Sequence, residues 1–106
     1  MQIRRGDVVV IRLDPGVGSE QQKTRPAVVV QNDVGNRYAP TTIIVPLTSQ
    51  TAQIYPTDVL ISKDSKALCS QILTVDKTRI VAKKKAVTPQ QLMRIDKALK
   101  LSLSLS

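Results

Sequence analysis

Short β-branched segments, each ended by turn-forming residues, run through most of this chain and limit it to a small, mainly β fold. Val8 to Leu13 is such a segment, and Asp14-Pro15-Gly16 ends it. Pro26 to Val30 is continuously apolar, which is typical of a strand buried on both faces. We predict five strands, at residues 8–13, 26–30, 41–47, 58–61 and 67–75.

The segments between these strands differ in how clearly they can be assigned. Residues 16–24 are polar, contain two glycines and lack periodicity, so we expect an exposed loop. Asn32 to Pro40 is rich in turn-forming residues and is predicted to be a turn-rich connection. Arg79 to Val87 is compatible with either a final strand or a turn of helix.

The C-terminal segment is predicted to be a helix. Thr88 can cap its first turn, Pro89 suits the first helical position, and Gln91 completes a Thr-x-x-Gln capping box. Apolar residues then recur at spacings of three and four on one face, at Leu92, Ile95, Leu99 and Leu103.

Tyr38 and Tyr55 are the only aromatic residues, so the core must be built from Val, Ile, Leu and Ala. The lack of Phe and Trp also argues against the usual base-stacking platform of single-strand-binding proteins. Five or six strands and one late helix predict a small, strongly curved sheet closed into a partial barrel, and several barrel types fit. The length of 106 residues predicts a single domain over residues 1–106.

The charge balance points to a polyanionic partner. Sixteen Lys and Arg oppose eight Asp and Glu, for a formal net charge of +8. Such an excess attracts phosphate backbones, although many small proteins are basic without binding nucleic acid. Lys83-Lys84-Lys85 fits either a phosphate contact or a solvated run of charge.

The residue types that are missing exclude several chemistries. Without histidine there can be no Ser-His-Asp triad, no two-histidine ribonuclease site and no histidine-ligated zinc. Cys69 is the only cysteine, which rules out an intramolecular disulfide and fits a reducing compartment. No apolar signal region or membrane span is visible in the sequence, so we expect a cytoplasmic protein with no metal, no cofactor and no membrane contact.

Four segments, in order and at matching spacing, resemble the MazF/PemK family of toxin ribonucleases. They are Arg5-Gly6-Asp7-Val8, Gly18-Ser19-Glu20-Gln21 leading into Thr24-Arg25-Pro26, the stretch from Val30 to Tyr38, and Pro46-Leu47-Thr48-Ser49-Gln50. A weaker similarity to the family follows from Gln71 to Lys77. The resemblance spans about residues 4 to 101.

The resemblance implies an SH3-like small barrel, shared with the CcdB toxins, in a homodimer with an RNA groove across its interface. It implies a metal-independent, sequence-specific endoribonuclease that cuts single-stranded mRNA. Attack by the 2′ hydroxyl would leave a cyclic phosphate and a 5′ hydroxyl, a reaction that DNA cannot undergo. A cognate antitoxin would occupy the groove with an acidic, extended segment, and DNA would be contacted only through that antitoxin.

The resemblance places the catalytic residues at Arg25 and Thr48. A guanidinium fork fits a phosphate and the charge that develops on its oxygens. A threonine hydroxyl can donate to a phosphate oxygen, a type of contact worth about 3–4 kcal/mol in transition-state stabilisation. The structural alternatives are a solvated arginine at a strand edge and a hydroxyl that caps a turn.

Glu20 is the third catalytic candidate, with more than one possible role. Its carboxylate could orient Arg25, accept a proton or read a base edge. The guanidinium of arginine holds its proton very strongly, so it is a poor general base, and we leave the base unassigned. Ser19 and Gln50 are predicted to contact RNA.

Three positions depart from the family pattern. Relatives of the PemK branch use charged residues near the positions of Leu68 and Ser70, and many family members carry arginine at the position of Leu73. None of these three residues titrates here, so we do not expect the acid–base residues of that branch in this chain. Cys69 is expected to be a buried small hydrophobe, because no base can be seen to activate it.

Two other functions would suit the same fold, because fold does not fix function. One is a CcdB-like poison of DNA gyrase that binds protein rather than RNA. The other is a catalytically inactive, basic nucleic-acid-binding module. Neither needs Arg25 and Thr48 to converge, and the run from Asn32 to Asn36 is expected to be structural in all three cases.

Overall fold

Seven strands and two α-helices make up the part of the chain that the computed structural model describes, residues 1–13 and 23–106. The strands are β1 Val8–Arg12, β2 Thr24–Val29, β3 Thr41–Thr48, β4 Asp58–Ser62, β5 Ser65–Leu68, β6 Leu73–Asp76 and β7 Ile80–Lys83. The helices are α1 Asp33–Tyr38 and α2 Pro89–Ser102, and a single 3₁₀ turn spans Lys77–Arg79. The predicted fold class, mainly β with a C-terminal helix, is confirmed.

Strand β3 organises the sheet because it pairs with three other strands. It runs antiparallel to β2 along one edge. Its other edge is shared by β6, opposite Thr41 to Ile44, and by β5, opposite Leu47 and Thr48. The full order is β4-β5-β3-β2-β1-β7 with β6 beside β3. Within the described residues no pairing joins β4 to β7, so the curved sheet is not closed.

The two faces of the sheet carry separate hydrophobic clusters. On one face Val28, Val45 and Leu47 pack with Ile95 and Ala98 of α2. On the other face Val9, Ile11, Ala27, Val29 and Ile44 pack together under the N-terminal Ile3. Side chains alternate between faces along a strand, and burial on both faces explains the continuous apolar runs in the sequence.

Two segments differ from their sequence-based predictions. The prediction of a turn-rich connection at Asn32 to Pro40 was wrong, because α1 forms there. The Asn32 side chain caps that helix by accepting the Gly35 N–H at 2.8 Å. Residues that were predicted to form a turn therefore begin a helix. The single strand predicted from Ala67 to Val75 is two strands. The chain turns after Leu68 so that β5 and β6 pair with different parts of β3.

The remaining elements follow the sequence closely. The Arg79 to Val87 segment, left open above, begins with the end of the 3₁₀ turn and continues as β7. The capping box of α2 is present: the Thr88 hydroxyl accepts the Gln91 N–H at 3.1 Å and the Gln91 side chain accepts the Thr88 N–H at 2.9 Å. No helix in the described ranges is long and apolar enough to span a membrane.

A buried amide ties α1 to the sheet. Asn36, 4% exposed, accepts hydrogen bonds from the Thr42 hydroxyl at 2.7 Å and the Gln31 side chain at 3.2 Å. It donates to the Gln31 carbonyl at 2.9 Å and to the Asp33 carboxylate at 3.1 Å. All four partners are lost together if this side chain is removed.

We predict that Asn36→Ala lowers the free energy of unfolding by about 3 kcal/mol, because the fully buried Thr42 hydroxyl is left without an acceptor. Asn32→Ala, which removes only the exposed cap, should cost about 1 kcal/mol. Urea denaturation of both variants measures the difference. Adding Thr42→Val to Asn36→Ala should recover part of the loss, and equal costs for the two single variants would contradict this role.

Candidate active site

The register between β2 and β3 brings Arg25 and Thr48 together. Ala27 lies opposite Pro46 in this antiparallel pair, and continuing the register by two residues puts Arg25 opposite Thr48. Directly opposite residues point to the same face with Cβ atoms roughly 4.5–5.5 Å apart. The two predicted catalytic side chains are therefore neighbours, although 23 positions separate them in sequence.

Local hydrogen bonds fix both side chains. The half-buried Arg25 donates from Nε to the Leu47 carbonyl at 3.3 Å, which directs the guanidinium across β3. The Thr48 hydroxyl accepts the Gln50 N–H at 3.2 Å. This is the turn contact named above as the structural alternative for Thr48. A hydroxyl that accepts one hydrogen bond can still donate its own hydrogen, so the turn contact and a phosphate contact are compatible.

Arg25 and Thr48 line one shallow surface depression of about 540 Å³. It is bounded by Arg25, Pro26, Leu47, Thr48, Ser49, Asp64 and Ser65. The shared cleft that the two residues need for joint action on one phosphate is thus present in a single chain. Its openness to solvent suits an extended polymer better than a small enclosed ligand.

Asp64 and Ser65 belong to this depression and were not identified from the sequence. They lie at the turn between β4 and β5, where Ser62-Lys63-Asp64-Ser65 has the composition of an ordinary hairpin turn. Only the pairing of β5 with the end of β3 brings that turn beside Arg25. No local signal in the sequence could have indicated this placement.

The other predicted site residues are Ser19, Glu20 and Gln50. Ser19 and Glu20 lie outside the described residues, so their roles remain predictions. Gln50 is exposed at the start of the loop that follows β3, two residues after Thr48. Its position beside the depression is compatible with a contact to RNA, which also remains a prediction.

A buried lysine lies on the opposite side of Thr48 from Arg25. Lys66 of β5 is the register partner of Thr48, so Arg25, Thr48 and Lys66 form a row across three strands on one face. Lys66 is only 5% exposed and its Nζ is 2.7 Å from Oδ2 of Asp58. Sequence analysis missed this ion pair, because eight positions separate the two residues and neither belongs to a recognisable motif.

Cys69 is buried, as the sequence analysis expected. Burial raises the pKa of its thiol to about 11, and the negative charge of Asp58 adds to the effect. A thiol in this state is a poor nucleophile at neutral pH. In the described ranges, no three His, Cys, Asp or Glu side chains are grouped as metal ligands.

Comparison with protein families identifies the chain. Residues 4–103 match the family described as the PemK-like, MazF-like toxin of type II toxin–antitoxin systems. The chain belongs to the PemK/MazF toxin family. The match covers nearly the whole sequence, including every residue of the depression, and it confirms the family that the motifs around Arg25 and Thr48 indicated.

Individual proteins also resemble the chain. Endoribonuclease EndoA of Bacillus subtilis is 41% identical over 113 residues, covering 99% of this chain and 97% of that protein. A mycobacterial endoribonuclease, solved in complex with its cognate antitoxin, superposes with a TM-score of 0.81 at 25% identity, covering 99% and 96%. A MazE–MazF complex of Deinococcus radiodurans shares the fold, with a TM-score of 0.82, 23% identity and coverage of 100% and 99%.

The burial of Cys69 makes a direct prediction about its reactivity. At about pH 8 a thiol-alkylating reagent should modify the native protein at least roughly 100-fold more slowly than the urea-unfolded chain, whose thiol has an ordinary pKa near 8.5. Mass spectrometry over a time course measures the two rates. Rapid labelling of the native protein would show that the turn after β5 is open to solvent.

Proposed function

We propose that this protein is the toxin of a type II toxin–antitoxin system and that it cuts single-stranded RNA without a metal ion. The observation that carries the proposal is the convergence of Arg25 and Thr48 on one open depression of a basic protein. The similarity to a B. subtilis protein named as an endoribonuclease supports the reaction type.

The proposed chemistry uses the nucleophile that RNA itself carries. The 2′ hydroxyl gives up its proton and attacks the adjacent phosphorus, the bond to the 5′ oxygen breaks, and that oxygen takes up a proton from water, so that a cyclic phosphate and a 5′ hydroxyl result. The terminal N–H groups of Arg25 bind the non-bridging oxygens, whose negative charge increases in the transition state. The Thr48 hydroxyl donates to the same phosphate and fixes its position.

Proton transfer requires a further group. Asp64 is the carboxylate that the described residues contribute to the depression. It joins Glu20 as a candidate to accept the proton of the 2′ hydroxyl. A carboxylate is a chemically better base than a guanidinium.

The proposal extends to partners and location. The net charge of +8 favours both RNA and an acidic, extended antitoxin segment in the same groove. A homodimer would lengthen that groove across two copies and bury more apolar surface than one small chain can alone. Transcripts are the substrate, so the site of action is the cytoplasm, and DNA is contacted only through the antitoxin.

We predict that Arg25→Ala reduces cleavage of a long transcript at least roughly 1000-fold, and that Thr48→Val reduces it roughly 100- to 1000-fold. Cleavage by the unmodified protein should persist with excess EDTA, and the fragments should carry cyclic phosphate and 5′ hydroxyl ends. Gel analysis with mapping of the fragment ends measures both.

Lys100→Ala is the matched control, because it removes one positive charge from the exposed surface of α2, on the helix that packs against the other face of the sheet. It should cut at the original rate. Intact RNA at high protein concentration would favour a binding module or a gyrase poison, and loss of cleavage in EDTA would overturn metal independence alone.

A further inference from the structure

The loop between β3 and β4, residues 49–57, begins directly after Thr48 and is held by several polar contacts. The Lys66 ammonium donates to the Gln53 carbonyl at 2.6 Å, and the Tyr55 N–H donates to Asp58 Oδ2 at 2.9 Å. The Tyr55 hydroxyl donates to the Gln53 side chain at 2.7 Å. The Lys66 ammonium also lies 5.4 Å from the centre of the Tyr55 ring, within range of a cation–π contact.

The buried Lys66–Asp58 ion pair is the anchor of this arrangement. The two side chains are 7% and 3% exposed, and charges this deeply buried need their remaining hydrogen bonds satisfied. Those bonds go to the backbone of Gln53 and Tyr55. The ion pair therefore fixes the loop to β5, and Pro56 further restricts the backbone after Tyr55.

The anchored tyrosine presents aromatic surface in the loop that follows Thr48. Lys66 is the register partner of Thr48, and its ammonium lies against the Tyr55 ring, so a single residue both neighbours Thr48 and contacts the ring. Tyr55 nevertheless remains 58% exposed. An exposed, anchored ring that is one residue removed from the proposed phosphate contact at Thr48 is suited to stack against an unpaired base.

Tyr38 offers an internal comparison. It is 74% exposed and contacts the Arg37 guanidinium at 5.3 Å, so it too has a cationic neighbour. It lies at the end of α1 in a different depression, lined by N-terminal residues including Gln2 and Arg4. The two tyrosines thus differ in their place in the fold, because Tyr55 lies in the loop that follows Thr48 whereas Tyr38 ends α1.

We propose that Tyr55 is a base-stacking residue that binds a nucleotide next to the scissile phosphate, and that Lys66 and Asp58 are positioning residues that hold its ring in place. The inference rests on the proposed RNA-cleaving function and adds a specificity element to it. The lack of Phe and Trp, which argued against a stacking platform, leaves this single tyrosine to provide one.

The first test uses tyrosine fluorescence, which has only two sources in this tryptophan-free protein. The probe is a random-sequence 12-mer pool of single-stranded RNA with every 2′ hydroxyl replaced by fluorine, which cannot be cleaved. In Tyr38→Phe, where Tyr55 is the sole emitter, the probe should quench the emission. In Tyr55→Phe, where Tyr38 remains, the signal should change only by the probe's own absorption.

Affinity for the same pool gives a second readout. Tyr55→Ala should weaken binding roughly tenfold, within the range of about 5- to 150-fold expected for the loss of one stacked base. Tyr38→Ala should bind as the unmodified protein does. Tyr55→Phe should retain most of the affinity, because the ring rather than the hydroxyl provides the stacking surface.

The positioning role is tested with Asp58→Asn combined with Lys66→Met, which removes both charges and avoids leaving one buried charge alone. This double variant should lose most of the quenching, measured in the Tyr38→Phe background. Adding Tyr55→Ala to the double variant should weaken binding by less than a further twofold, compared with roughly tenfold for Tyr55→Ala alone. The effects are not additive because the ion pair acts through the Tyr55 ring. If the double variant fails to fold, Lys66→Arg, which keeps the charge, should retain quenching.

Equal quenching of the two tyrosines, equal affinities of Tyr55→Ala and Tyr38→Ala, or no binding of the pool by the unmodified protein would overturn the inference. Full quenching without the ion pair would overturn the positioning role. Cleavage of an unmodified transcript is measured separately. A protein that cuts RNA but shows no Tyr55 effect refutes the stacking residue alone, whereas Tyr55-dependent binding without cleavage refutes the nuclease.

Discussion

The pairing register between β2 and β3 is the constraint on which the candidate site depends. Side chains alternate between faces along a strand, so a shift of one residue would turn either Arg25 or Thr48 to the opposite face of the sheet. The register is held by the residues that follow Arg25 in β2, because Ala27, Val28 and Val29 are all fully buried opposite β3. The hydrophobic core therefore determines the geometry of the polar site at its edge.

Strand β3 also connects the candidate site to a third strand, β5, through the same kind of register. Its last residue, Thr48, has Arg25 on one side and Lys66 on the other, and the turn between β4 and β5 adds Asp64. The three side chains of the row have different surroundings. Arg25 is half-buried at an open depression, whereas Lys66 is enclosed with Asp58 beneath the β3–β4 loop. One row of register partners thus combines a surface cation with a buried structural one.

The buried ion pair is energetically unlike a surface salt bridge. An exposed pair contributes about 0–1 kcal/mol, whereas removing one partner of a buried pair costs roughly 3–5 kcal/mol because it leaves an uncompensated charge. Replacement by apolar residues would be compatible with stability. Its hydrogen bonds to the loop backbone give the pair a second role that apolar residues could not fill, namely to fix the loop beside the site.

Much of the fold could be predicted from local sequence patterns. The strands, the capping box at Thr88 and the aliphatic core depend on residues close together in the chain. The helix α1 was missed because Asn32 serves equally in a turn and as a helix cap, and only the tertiary bonds of Asn36 decide between them. The division of the predicted fifth strand into β5 and β6 was missed because it depends on tertiary pairing: β3 is long enough for β6 to pair with its first half and β5 with its last two residues.

Some residues of the candidate site could be predicted from the sequence, and others could not. Arg25 and Thr48 were found through their motifs, and the register then placed them side by side. Asp64 and the Lys66–Asp58 pair have no motif. Their positions follow from the pairing of β4, β5 and β3, which a pattern along the chain does not specify.

The most direct test of the central claim is a crystal structure of the protein with a short single-stranded RNA whose 2′ hydroxyls are replaced by fluorine. We predict one phosphate bound at once by the Arg25 guanidinium and the Thr48 hydroxyl, each at about 2.7–3.2 Å. An RNA backbone bound elsewhere on the molecule, with both side chains untouched, would contradict the account.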